Sequence, residues 1–173
     1  MKKRKAFISY HHKDVAFYHK FISLTQHTIV NKSVIEGAIG SNIHDQNIKE
    51  FIQQNNLKDA TVLVVLVGAK TYSRKHVDWE ISGALNRGVG DIYAGLLGIR
   101  LPSHSDHGIG DHKYNANNIP ARLVDNLDSG YAKIYDWSGD RNALENWIHE
   151  AFYRRNSHGN KRINSRAQMI ENK

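Results

Sequence analysis

The stretch Ala60-Thr61-Val62-Leu63-Val64-Val65-Leu66-Val67 limits the fold more than any other feature of the chain. A strand with one wet face alternates apolar and polar residues. A β-branched run with no alternation belongs to a strand covered on both faces, which is the condition of a central strand in a parallel sheet. Parallel neighbours cannot be joined by a hairpin, so the rest of the chain is expected to supply crossover helices. The longest purely apolar part, Val62 to Val67, is far short of a bilayer span.

The flanking pattern meets this requirement. Lys5 to Tyr10 reads as a first strand, and Asp14 to Thr28 as a helix with Val15, Tyr18, Phe21, Ile22 and Leu24 mostly at helical spacing. Thr28 to Ile35 is a weak second strand. Glu36 to Asn42, with two glycines, is a loop ahead of a helix from about Asp45 to Gln54. A helix over Arg74–Asn86 follows the central run. Ile92 to Ile99 and Tyr131 to Asp136 are further strands, separated by a His- and Gly-rich loop over 102–118 and a helix over Ile119–Gly130. Asn142 to Arg155 closes the pattern, with Leu144, Trp147, Ile148, Ala151 and Phe152 on one face. The expected architecture is α/β: a five-stranded, mainly parallel sheet with helices on both faces. Residues 1–153 form one domain and 154–173 a basic tail. Ligands of such sheets bind beyond the carboxyl ends of the strands where strand order reverses, here between the first and third strands.

Several chemistries are excluded at once. The chain has no Cys, so disulfides, thiolate centres and cysteine nucleophiles are absent. A phosphoryl receiver needs an acidic pair after the first strand and an Asp after the third, where this chain has His11-His12 and Gly68-Ala69. No Walker loop or GxGxxG fingerprint occurs, and Ser9-Tyr10-His11-His12 is no flavin-phosphate cradle. The net charge of +7 sits at the ends: residues 2–5 and 154–173 hold ten Lys and Arg against Glu171, so the body between is slightly acidic. Those ends read as solvated tails, and no recognition helix supports nucleic-acid binding. Met1-Lys-Lys-Arg-Lys is followed by too short an apolar stretch for a signal peptide, so the expected location is the cytoplasm, without membrane contact. His104, His107 and His112 match no standard metal spacing, and no metal is expected.

On the helix over Arg74–Asn86, ~100° per residue places Val77, Ile81, Ala84 and Leu85 on the inward stripe and Glu80 at its border, half-buried at the sheet edge. Trp79 falls on nearly the opposite side. There an indole either anchors an interface between copies or packs under a neighbouring loop. His11 and His12 lie beside the expected pocket, where one either touches a phosphate or ribose or caps the following helix.

Phe7-Ile-Ser-Tyr10 with His11-His12-Lys13-Asp14, Val64-Val-Leu-Val-Gly68, Thr71-Tyr-Ser-Arg-Lys-His-Val-Asp-Trp-Glu-Ile81 and Ile119-Pro-Ala-Arg-Leu-Val-Asp-Asn126 together resemble the TIR-like family that includes ThsB of bacterial Thoeris antiphage systems. The resemblance runs from about residue 4 to residue 153. It implies a flavodoxin-like TIR fold and, in catalytic members, NAD cleavage with release of nicotinamide and formation of an ADP-ribose-derived, cyclic or conjugated messenger that activates an effector. Glu80 matches the catalytic glutamate of TIR NADases. The wider motif Trp-Cys-x-x-Glu has His76 and Val77 in its first two places here. Phe7, Ser9 and Tyr10 match the first-strand box bordering the nucleotide, with His11 beside it, and Ile35 to Asp45 occupies the place of the closing loop. An oxocarbenium-like state needs one carboxylate, and an aromatic face, Tyr10 supported by Phe7, would hold the departing ring. The partners implied are NAD as substrate with no separate cofactor, a phage-derived trigger, the effector and further copies of the chain. The alternative is a non-catalytic TIR-like sensing or scaffolding module that acts by self-association, with Glu80 structural.

Overall fold

The apolar run forms a strand, Val62–Val67, that is buried at every position. In the computed structural model, which describes residues 2–33, 57–86 and 93–173, this strand is β3. It is joined by β1 (Arg4–Ser9), β2 (Ile29–Asn31), β4 (Gly95–Arg100) and β5 (Lys133–Asp136). The sheet order is β2-β1-β3-β4-β5 and every pairing is parallel. This is the flavodoxin-like order, with its switch point between β1 and β3. The helices are α1 (Val15–Thr25), α2 (Lys75–Ala84), α3 (Ala121–Asp128) and α4 (Arg141–Ser157). None among the described residues is long and apolar enough to cross a membrane. The expected loop from Ile35 to Asp45 and the helix after it lie outside the described residues.

Period-2 alternation along β3 divides the core. Leu63, Val65 and Val67 pack with Phe7 of β1, Val77 and Ile81 of α2 and Leu123 of α3. Val62, Val64 and Leu66 pack with Ile8, Phe21 of α1 and Leu144 and Ile148 of α4. Burial on both faces is why β3 needed apolar residues at every position.

The basic C-terminal residues depart from the solvated-tail reading. Residues 154–157 are the last turn of α4, and after a short turn, Gly159–Lys161, the chain doubles back as a strap over α3 and α2. Asn126 of α3 donates to the Ile163 carbonyl at 2.8 Å and accepts from its N–H at 2.9 Å. Asn164 donates to the Ser82 carbonyl, and Gln168 donates to the Ser82 hydroxyl. The charges that suggested a wet tail are used internally: Arg166 makes two 2.8 Å bonds to Asp125.

The strap also settles the position of Trp79. The indole does turn away from the sheet, as helical arithmetic requires, yet it is only 6% exposed and its N–H donates to the Met169 carbonyl at 2.8 Å. Packing within its own chain replaces the interface-anchor expectation for this side chain. Beneath it lies a buried ion pair. Arg122 of α3 holds both Asp78 oxygens, at 2.9 and 3.3 Å, and its remaining donors reach Asn164 and the Ala167 carbonyl. Met169 N–H completes the shell of Asp78 at 2.9 Å.

Removing one partner of such a pair leaves an uncompensated charge in a low-dielectric site. Arg122→Met is expected to lower unfolding stability by about 3–5 kcal/mol in equilibrium urea titration. A loss below about 1 kcal/mol would show that the pair does not hold the strap.

Candidate active site

At the carboxyl end of β1 the alternation of the strand turns Phe7 toward the α2 side and Ile8 toward α1 and α4. Ser9, buried at 1% exposure, donates its hydroxyl to Glu80 Oε2 in the second turn of α2. The structure therefore brings together the two polar residues expected from opposite sides of the switch point. Glu80 is half-buried, while its neighbours Val77, Ile81, Ala84 and Leu85 are buried as the inward stripe.

The turn between β3 and α2 makes this meeting possible. Thr71 is fully buried, and its hydroxyl accepts from Gly68 N–H at 2.9 Å while donating to the Leu66 carbonyl at 3.3 Å, so the chain reverses immediately after the strand. A Cβ on Gly68 would lie 2.0 Å from Asp14 Oδ2, so any other residue there would have to displace the Asp14 carboxylate. Asp14 in turn accepts from the Ser103 hydroxyl at 2.9 Å. The segments following β1, β3 and β4 are thus linked around one carboxylate. Sequence reasoning missed Asp14, Thr71 and Ser103. Asp14 read as a helix start, and nothing local in the sequence shows which glycine a distant side chain presses against.

The remaining expected site residues are placed as follows. Phe7, at 1% exposure, is a core side chain under Ser9. Tyr10 is half-buried and stacks on Tyr18 of α1, with ring centroids 4.5 Å apart and 15° between planes. It packs with the α1–α4 cluster, the side of the sheet opposite the Phe7 cluster. His11 is buried, and its Nδ1 accepts from Lys13 N–H at 3.1 Å, capping the short turn His12–Asp14. That bond requires an unprotonated Nδ1. Burial first, then the charges of His12 and Arg74, hold the ring below the usual histidine range against the opposing pull of Asp14.

The long loop after β4 is pinned by a second ion pair. Arg100, fully buried at the end of β4, meets Asp136 at the end of β5 at 2.7 Å and donates to the Lys113 and Gly110 carbonyls. Asp136 also accepts from Gly110 N–H at 3.2 Å. His104 accepts from Asp106 N–H at Nδ1 and lies 3.0 Å from the Asn118 carbonyl at Nε2, a geometry that places its proton on Nε2. No group of three metal-ligating side chains occurs among the described residues.

Burial acts on Asp136 to raise its pKa, but the bonds from Arg100 and the loop N–H groups outweigh it, and the carboxyl titrates below the usual value. The folded protein therefore binds this proton less readily than the unfolded chain. The stabilisation is full above the ordinary carboxylate pKa of about 4 and is lost as pH falls through the depressed value. Urea unfolding between pH 6 and 3 is expected to show a shallower acid loss in Asp136→Asn than in the parent. Identical acid limbs would remove this pair from the pH dependence.

The family described as the TIR-like domain of the Thoeris protein ThsB matches residues 7–106 of the chain. The match contains Ser9, His11 and Glu80 and stops within the loop after β4. None of the curated proteins matches.

Proposed function

The chain belongs to the Thoeris ThsB TIR-like family, and from that premise we propose that it cleaves NAD between ribose and nicotinamide and forms an ADP-ribose-derived messenger, cyclic or conjugated, that activates an effector in antiphage defence. The observation that carries this reading is the Ser9–Glu80 hydrogen bond at the switch point, which holds a half-buried carboxylate where such sheets bind ligands.

The chemistry asks for little more. When the glycosidic bond breaks, both of its electrons stay with the ring nitrogen, so the pyridinium departs as neutral nicotinamide and needs no general acid. The ribose is left with oxocarbenium-like charge, which one carboxylate stabilises without further reorganisation. Glu80 is the proposed carboxylate. Ser9, by donating to one oxygen, fixes the other relative to the sheet edge. An oxygen or nitrogen nucleophile then bonds to the ribosyl carbon and gives up its proton. An internal nucleophile yields a cyclic product, a second molecule a conjugate, and water free ADP-ribose. Tyr10 and His11 are proposed to border the nucleotide from the end of β1, with Phe7 backing Ser9 from the core. NAD enters as substrate with no further cofactor, and a phage-derived component is the proposed trigger.

One observation favours the non-catalytic reading: a hydrogen bond from a buried hydroxyl is also what a structural acid would receive. Glu80→Gln separates the two, since the amide oxygen still accepts from Ser9 while the charge is gone. Chromatography of nucleotides from infected cells is expected to show at least a 100-fold loss of product, with the melting temperature of the purified variant within a few degrees of the parent. Undiminished product overturns the catalytic assignment, and a variant that does not fold supports the structural role.

A further inference from the structure

The amino-terminal cations and Arg155 of α4, far apart in sequence, meet at the edge of the sheet opposite Glu80. Lys2, Lys3, Arg4 and Lys5 enter β1, Lys58 precedes β3, and Arg155 is in the last turns of α4. Together they line one cavity of about 360 Å³. That volume falls in the range of small-molecule sites, roughly 300–1,000 Å³. Among the described residues of the lining Asp59 is the one carboxylate, and it is shared by Lys5 at 2.8 Å and Lys32 at 3.2 Å.

The two guanidiniums are held in a way that leaves their charge uncompensated. Arg4 lies over the Phe152 ring at 3.6 Å and Arg155 over the same ring at 4.2 Å. Their hydrogen bonds go to neutral acceptors: Arg4 to His149 Nδ1 and the Tyr153 hydroxyl, Arg155 to the Phe152 carbonyl. Neither meets a carboxylate among the described residues. Burial and the nearby Arg4 charge both act to lower the pKa of Arg155, with Tyr131 opposing. Cation–π contact orients such groups without neutralising them. With guanidiniums already stacked on Phe152, the recognition on offer is of charge rather than of a flat base.

We infer that this cavity is a binding site for a compact anion carrying two or more linked phosphates, held by Arg4 and Arg155 on one side and by the lysines of the β1 and β3 entries on the other. Cations arriving from three separate elements spread the positive charge too widely for one monophosphate, whereas a chain of phosphates spans it and suits the bidentate geometry of Arg. The site is distinct from the switch point and does not rest on the proposed NAD cleavage.

The test is calorimetric titration of the full chain with inorganic tripolyphosphate at low salt. Saturable one-to-one binding is expected in the parent and equally in Glu80→Gln, weakening as ionic strength rises. Arg155→Gln should weaken it about tenfold or more. Lys58→Gln, at an exposed side chain that costs no packing, should weaken it about threefold and decides the matter if the arginine variant fails to fold. Absence of saturable binding in the parent, or equal binding in Lys58→Gln, overturns the site. Tighter binding of duplex DNA, lost in the same variants, overturns it in favour of a nucleic-acid surface.

Discussion

Asp78 and Arg122 form the contact on which the arrangement around Glu80 rests. Removing two charges from water costs more than their attraction returns unless the remaining donors and lone pairs are also met. Here they are met by the strap: Asn164 and the Ala167 carbonyl complete the guanidinium, and Met169 N–H completes the carboxylate. The dependence runs both ways. Without the strap the pair is under-satisfied, and without the pair the strap loses its central anchor. Because Asp78 lies two residues before Glu80 on α2, this network sets the rotation of the helix that presents the acid to Ser9.

The two edges of the sheet are built on different principles. At the carboxyl edge, polar groups are matched one by one: Ser9 with Glu80, Ser103 with Asp14, Arg100 with Asp136 and two loop carbonyls. These bonds tie the segments after β1, β3, β4 and β5 to one another around the switch point. At the amino edge, cations accumulate around Phe152 with one shared carboxylate. That surplus is costly to the isolated fold and has meaning only toward an anion.

Much of the fold was legible because the signals were local. The unbroken run of β3 implied a doubly covered parallel strand, and the strand–helix alternation led to the observed sheet. Glu80 and Ser9 were legible as well, since helical spacing and the β1 box placed each on its element. The rest depended on contacts between residues far apart in the chain. Six cations in residues 154–173 look like a solvated tail to any reading of composition. Asn126, which receives the strap, has no periodicity to announce it. Trp79 is the clearest case: its direction was correct from 100° per residue, but what covers it begins some eighty residues later. Tyr10 shows what a motif leaves unsaid: adjacent residues at a strand end face opposite sides, and its ring stacks on Tyr18 while Ser9 turns to Glu80.

The strap also bears on how the chain is made. A ribosome releases β3 and α2 long before residues 163–169, and domains begin to organise from the amino-terminal side during synthesis. Through that interval Asp78 has not received Met169, and the indole of Trp79 faces whatever surrounds the nascent protein. The helix that carries Glu80 acquires its final support only when the last part of the strap emerges. The candidate active site is in this way completed only after the strap has been synthesised, and a chain interrupted after α4 would present an apolar, charge-bearing face to quality-control machinery.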